Sequence, residues 1–389
     1  MNNFIFENAT KVYFGKGCVN EYLGCLVKHY ADKVMLAYGG GSIKHNGVYD
    51  QVVAILTAAG KQLVEFSGIM PNPTYAKVME GAALARREQV SLILGIGGGS
   101  VMDCCKAVSL AARYEGDAWN DFWARPGVID FEPLPLGVIV TAAGTGSEMN
   151  GGAVITHEAL RVKTGRDYPR CNPRFALLDP SYTLSVPLRQ MRSGGFDTLS
   201  HIMETYFSLP DEDNVSDAIS EGLMKSVIAN LRAAVHNPED YTARSNLMWA
   251  ATMAENRIIK LGKRTDFQCH HIEHQLGAFT NCNHGEGLAV LQPVYYRHIY
   301  RHGKGKFARF AREVWGVTCR CKTEEGLARA GVEALSHFVR ELGLPTTLRE
   351  LGVDEHVDLK AIADSCMLSP GSYRAMTHKE IGDILKECF

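Results

Sequence analysis

Apolar positions in the first half of the chain fall into short runs separated by stretches of helical period. KVMLAY (33–38), QLVEFS (62–67), VSLILGI (90–96), PLGVIVT (135–141) and FALLDP (175–180) are β-rich runs of strand length. Residues 48–59, 74–89 and 100–112 between them carry apolar side chains at helical spacing, with Thr74 placed to cap the second. Strands that alternate with helices predict a parallel α/β sheet covered by helices on both faces. After about residue 184 the strand-like runs nearly vanish. Helical periodicity takes over at 216–234, 243–259, 288–300, 304–314 and 324–342, and Thr377 with Glu380 forms a capping-box signature for a last helix. The pattern predicts two domains, 1–185 and 186–389, with no internal repeat and no low-complexity segment.

Bulk properties narrow the function. A chain of 389 residues with formal net charge −2 offers no electrostatic case for binding nucleic acid or an anionic membrane. No apolar run is long enough to span a bilayer. The first residues, MNNFIFENATKVYFGKG, lack a basic stretch followed by an apolar one, so the expected compartment is the cytoplasm. The 11 cysteines are scattered, and Cys104-Cys105 and Cys319-x-Cys321 are too closely spaced for a zinc finger. Reduced, buried thiols fit that pattern.

Two glycine-rich segments follow strands. Gly97-Gly98-Gly99-Ser100, with Asp103 after it, sits at a strand-to-helix junction, where backbone N–H groups and a helix N-terminus suit a phosphate. A tight turn with a Ser100/Asp103 capping box is the competing account. The second segment, TAAGTGSE (141–148), presents Thr141, Thr145 and Ser147. Two such loops in one α/β domain favour a dinucleotide over two plain turns. The first strand ends in Gly39 and Gly40 with no carboxylate for a ribose 2′-OH; Ser42, Lys44 and His45 follow. A hydroxyl and a lysine suit a 2′-phosphate, which favours NADP(H) over NAD(H), while a solvated Lys44 is the alternative.

The second half holds candidate metal ligands. Asp197 and His201 stand at i and i+4, on one helix face, and His270 and His284 bracket HHIEHQLGAFTNCNH. One carboxylate and three imidazoles suit Zn²⁺ or Fe²⁺. The same residues serve equally as ordinary polar positions on amphipathic helices. Cys269 and Cys282 lie beside them and keep a softer donor set in view.

Taken together, these segments resemble the iron-containing (group III) alcohol dehydrogenase family over nearly the whole chain. The marks are FGKG (14–17), PNP (71–73), GGGSVMD (97–103), TAAGTGSE (141–148), LLDP (177–180), FDTLSH (196–201) and the histidines ending at His284. YGGGSIKHNG and NLMWAATMAENRI resemble its NADPH-dependent aldehyde reductase and butanol dehydrogenase branch. The resemblance implies a Rossmann-like dinucleotide-binding α/β domain, an all-α metal-binding domain, an active site in the cleft between them, and a homodimer. It implies that Asp197, His201, His270 and His284 hold one divalent ion, Fe²⁺ or Zn²⁺, and that His274 lies near the substrate without binding the metal. His274 is then the candidate proton relay. Asn72, Asp103, Lys163 and Tyr182 fall on the cofactor side. The branch commonly carries two lysines where this chain has Lys44-His45, which weakens the case for NADPH.

The implied reaction is hydride transfer between NADP(H) or NAD(H) and a small primary alcohol or aldehyde, with the metal polarising the substrate oxygen. Two alternatives share the two-domain plan: a sugar-phosphate lyase of the dehydroquinate-synthase type and a polyol oxidase like glycerol dehydrogenase. The lyase needs a basic pocket, for which Arg257, Lys260, Lys263 and Arg264 are candidates. Trp119, Phe122 and Trp123 suit either a pocket wall or the core.

Overall fold

A computed structural model of the chain describes residues 1–318, 323–370 and 373–389, so the Cys319-x-Cys321 pair falls outside the described residues. Two compact units are present. One is Glu7–Pro187 with Glu239–Met248; the other is Met1–Phe6, Leu188–Pro238 and Trp249–Phe389. Two short segments therefore lie with the unit that a single cut near residue 185 does not give them. Met1 to Phe6 join the helical unit, where the Asn2 N–H donates to the Gly262 carbonyl at 2.9 Å and the terminal ammonium pairs with Glu212. Residues 239–248 join the α/β unit, where the Arg244 guanidinium donates to the Val186 carbonyl at 3.4 Å.

The α/β unit contains β1 (Lys11–Phe14), β2 (Lys33–Tyr38), β3 (Gln62–Phe66), β4 (Leu92–Gly97), β5 (Leu136–Val140), β6 (Gly152–His157), β7 (Val162–Asp167) and β8 (Phe175–Leu178). Its helices are α1 (Cys18–Val27), α2 (Ser42–His45), α3 (Val48–Ala58), α4 (Tyr75–Arg87) and α5 (Gly99–Ala111). Six strands form a parallel sheet in the order β1-β8-β5-β4-β2-β3. Successive strand residues face opposite sides of the sheet. Along β2, Met35 and Ala37 join the core containing Val78, Ala82 and Val108 of α4 and α5. Val34 and Leu36 join Val19, Leu23, Val52 and Leu56 of α1 and α3. A strand buried on both faces reads as a continuous apolar run, which is why KVMLAY and LILGIG are legible.

Strands β6 and β7 form a separate antiparallel pair that the hydrophobic pattern does not indicate. β7, VKTGRD, buries only Lys163, so no apolar alternation marks it. Trp119, Phe122 and Trp123 lie in one π-helical turn and are buried in the core, which removes them as a pocket wall.

The helical unit contains, or shares, α6 (Leu188–Tyr206), α7 (Val215–His236), α8 (Tyr241–Glu255), α9 (Gln268–Thr280), α10 (His284–Ile299), α11 (Lys304–Glu313), α12 (Glu324–Glu341), α13 (Leu359–Ser365) and α14 (His378–Glu387). Helix α8 stops at Glu255, short of the periodic pattern, because Arg257 adopts a left-handed φ of 77°. Helix α10 starts at His284, four residues before its apolar period begins, because the Asn283 side chain caps it by accepting from the Glu286 N–H. The Thr377–Glu380 capping box is present on α14. Among the described residues, no helix is long and apolar enough to cross a membrane.

Candidate metal centre and cofactor loops

Helix α6 carries Asp197, His201 and Glu204 at i, i+4 and i+7, one stripe of a helix. Helix α9 supplies His270, Glu273 and His274 from one face at i, i+3 and i+4, and α10 supplies His284 as its first residue. Of these, His201, His270 and His284 converge on Asp197 Oδ1. His284 Nε2 lies 3.5 Å from it, His270 Nε2 3.6 Å and His201 Nδ1 3.7 Å, all too long for good hydrogen bonds. Asp197 Oδ1, His201 Nδ1 and His270 Nε2 are buried with no hydrogen-bond partner among the described residues. The donor atoms of Asp197, His201 and His270 are mutually close enough to share one cation. Buried donors that converge on one point while avoiding each other are what a divalent ion requires, so the residues fit one.

The electrostatics agree. Burial opposes ionisation of Asp197, yet His201, His284 and His270 hold its carboxyl well below the usual carboxylate range. Burial pushes His201 down to about 4, against the pull of Asp197. Burial also works against a proton on His270, but Glu204 and Asp197 outweigh it and push His270 up to about 10.

Two residues escaped the sequence reading. Glu204 accepts from His270 Nδ1, and Glu273 accepts from His284 Nδ1. The stripe 197-201-204 and the i+3 step from His270 to Glu273 are visible in the sequence, but neither says which imidazole a carboxylate will meet. His274 stands beside the cluster, its ring 5.6 Å from that of His284 and 6.2 Å from that of His270. Glu273, His274 and His284 also bring their donor atoms together. Neither cysteine joins either group: the Cys269 N–H donates to Glu204, and Cys282 Sγ lies 3.9 Å from Glu273 Oε1.

On the sheet, β2 leads outward to β3, and the chain then returns to β4 on the other side of β2 before continuing to β5. The junction of β2 and β4 is therefore a topological switch point, where open α/β sheets bind ligands beyond the carboxyl ends of their strands. Gly39, Gly40 and Ser42 follow β2, Gly97 to Ser100 end β4 and start α5, and Thr141 follows β5. Gly99 is fixed by packing: a Cβ there would meet Thr145 Cγ2 at 2.4 Å. The Ser100/Asp103 capping box does not form. Asp103 instead accepts from the Ser147 hydroxyl at 2.7 Å and the Val154 N–H at 2.9 Å, tying α5 to the second loop and to β6. Val101 and Met102 donate to the Gly98 carbonyl at 3.1 and 3.2 Å, so it is the Gly99 and Ser100 N–H groups that have no partner within α5.

Lys106, also missed, lies one turn beyond Asp103 and is fully buried. It donates to the Ser147 hydroxyl, Asn150 Oδ1 and the Gly152 carbonyl at 2.6, 2.9 and 2.7 Å. Lys163 is buried on β7. Asn72 takes a left-handed φ of 54° in the turn before α4, which β6 steadies through the Thr156 N–H on the Pro73 carbonyl at 2.9 Å. Tyr182 donates its hydroxyl to Gln51 Oε1 on α3 at 2.8 Å. Lys44 places its ammonium 4.5 Å from the centre of the Tyr49 ring and 5.2 Å from that of Tyr38.

Comparison with known proteins divides the chain once, near residue 185. The family model described as iron-containing alcohol dehydrogenase matches residues 9–180, and that described as Fe-containing alcohol dehydrogenase family, C-terminal, matches residues 191–389. NADH-dependent butanol dehydrogenase A of Clostridium acetobutylicum is 36% identical over 100% of both chains. NADPH-dependent aldehyde reductase YqhD of Escherichia coli is 35% identical over 91% of this chain and 90% of its own. The crystal structure of NADH-dependent butanol dehydrogenase A from Thermotoga maritima superposes with a TM-score of 0.94 at 38% identity, covering 100% of this chain and 99% of that one.

Proposed function

The chain belongs to the iron-containing alcohol dehydrogenase family and interconverts alcohols and aldehydes with a nicotinamide cofactor; on that premise we propose that small primary alcohols and aldehydes are its substrates and that Asp197, His201, His270 and His284 hold one Fe²⁺ or Zn²⁺. The observation that carries the ligand set is the convergence of the His201, His270 and His284 ring nitrogens on Asp197 Oδ1, those of His201 and His270 being buried and unpaired among the described residues. When bound, the ion supplies Lewis acidity toward the substrate oxygen and the nicotinamide carries the hydride. The N–H groups at the start of α5 face the diphosphate, and the ties from Asp103 and Lys106 to the second loop hold both loops in place. His274 moves the hydroxyl proton of the alcohol, taking it during oxidation and returning it during reduction.

NADP(H) is the favoured cofactor in this reading, with NAD(H) also accepted. No carboxylate follows β2, and the nearby Glu65 accepts hydroxyl protons from both Tyr38 and Tyr49. The Tyr38 hydroxyl beside Lys44, with Glu65 and Asp50 farther off, raises its pKa above the usual lysine value, which keeps it charged for a 2′-phosphate. Two members of the basic cluster that favoured a lyase are engaged internally: Lys260 pairs with Glu255 at 2.6 Å and Lys263 with the buried Asp217 at 2.6 Å. A homodimer belongs to the proposal, supported by exposed Phe4, Ile5 and Phe6 near the N-terminus. So does a cytoplasmic setting, since all nine described cysteines are free thiols.

Elemental analysis of the purified protein, with a panel of short primary alcohols and aldehydes against NADPH and NADH, tests the proposal. Stoichiometric iron or zinc and turnover of the panel are expected, with kcat/KM higher for NADPH. Lys44→Ala should weaken NADPH binding about tenfold, read by nicotinamide fluorescence, and leave NADH within about twofold. A higher kcat/KM with NADH would reverse the cofactor assignment. A protein that turns over the panel without any divalent ion would overturn the ligand set.

A further inference from the structure

The two histidines nearest Asp197 each use one ring nitrogen toward it and the other toward a buried carboxylate. His270 presents Nε2 to Asp197 Oδ1 and Nδ1 to Glu204; His284 presents Nε2 to Asp197 Oδ1 and Nδ1 to Glu273. Glu204 is 3% exposed and Glu273 0%. We infer that Glu204 and Glu273 are positioning residues, which accept hydrogen bonds from the Nδ1–H of His270 and His284 and so fix both rings with Nε2 bare and aimed at the cation. This inference rests on the ligand set proposed above.

The chemistry is that of a carboxylate–histidine–metal relay. An imidazole can lose either ring proton, and only the tautomer protonated at Nδ1 leaves Nε2 as a lone-pair donor. A carboxylate that accepts from Nδ1 selects that tautomer, stops ring rotation and raises the basicity of Nε2. The two carboxylates differ in what else they do. Glu204 also accepts the backbone N–H groups of Cys269 at 2.8 Å and His270 at 3.2 Å, so it pins the first turn of α9 to α6. Glu273 lies within α9 and reaches across to α10, with its Cγ so close to Gly287 that a Cβ there would sit 3.0 Å away. Glu204 therefore combines positioning with helix capping, and Glu273 gives the cleaner test. Glu273 is also adjacent to His274, so it orients a ring on α10 while its neighbour faces the same cluster.

The test uses the full chain stripped of its native ion and loaded with Co²⁺, whose visible absorption reports ligand geometry. Affinity is measured by competition with a chelator of known strength, and the melting midpoint of the metal-free protein is recorded alongside. Glu273→Gln keeps an acceptor but loses the charge, and should bind Co²⁺ about tenfold more weakly. Glu273→Leu loses both, and should fall about 100-fold with an altered spectrum. Glu204→Gln should weaken Co²⁺ binding and also lower the metal-free midpoint. Wild-type affinity and an unchanged spectrum in Glu273→Leu, with affinity lost in His284→Ala, would overturn the positioning role alone. Wild-type Co²⁺ affinity in His284→Ala would overturn the ligand set, and the positioning role with it.

Discussion

Asp197 Oδ1 is enclosed by three imidazole nitrogens at 3.5 to 3.7 Å and receives no hydrogen bond among the described residues. A buried acceptor left unpaired costs about 1–3 kcal/mol, and more for a charged group. The proposed cation would satisfy several such atoms around one point at once. His274 has a different relation to that point: its ring lies 5.6 Å from that of His284 and 6.2 Å from that of His270, and its donor atom groups with those of Glu273 and His284. At this scale the expectation is a separation of binding from turnover. His274→Ala should keep its full metal content while kcat falls about 100-fold, the usual range for one proton-transfer group. Metal loss in that variant, measured on the same preparation, would make His274 a ligand instead.

At the scale of elements, the loops after β4 and β5 behave as one piece. Gly99 abuts Thr145, Asp103 holds Ser147, and Lys106 holds Ser147 and Asn150. The glycine run reads in the sequence as room for a phosphate, and the structure adds that the second loop occupies part of that room. Gly99→Ala should force Thr145 aside, since the new Cβ would sit 2.4 Å from its Cγ2 and 2.6 Å from its Oγ1. A loss of about 1–3 kcal/mol in stability is expected, with weaker cofactor binding by titration. Thr145→Ala in that background should restore part of both. Unchanged stability and cofactor affinity in Gly99→Ala would show the loops to be independent. Element limits follow the same logic of local against non-local signals. Strands buried on both faces announced themselves, while the polar β7 did not. Helix α10 began early because a side-chain cap, rather than an apolar period, set its start.

Across the whole molecule, both units bury thiols away from water. In the α/β unit burial pushes Cys104 and Cys171 from 9.0 up to about 12 and Cys18 up to about 11. In the helical unit it pushes Cys366 and Cys388 up to about 12. A thiol whose pKa is raised by folding stays protonated in the folded chain after its unfolded counterpart has ionised. Its contribution is fully present below about pH 9 and is lost as pH rises toward 12. The unfolded state binds fewer protons in that window, so stability should fall by up to ~1.4 kcal/mol per pH unit for each such group. Urea midpoints at pH 8 and pH 10.5 check this, and equal midpoints would contradict it.

What the sequence determines by itself is whatever short-range periodicity encodes: the parallel α/β unit, the helical remainder, the glycine-rich strand ends, and the chemical type of the candidate ligands. Side-chain identity and the periods of 2 and 3.6 are local properties, and burial writes them directly into the residue order. What only the tertiary structure decides is which polar groups meet. Glu204 and His270 are 66 residues apart, Asp103 and Ser147 44 apart, and no local period links either pair. The same packing took Trp119, Phe122 and Trp123 into the core, engaged Lys263 with Asp217, and left Asp197 Oδ1 without a donor among the described residues. A buried polar atom must find its partner wherever the folded chain brings one, and that choice is made by the assembled helices rather than by any stretch of sequence.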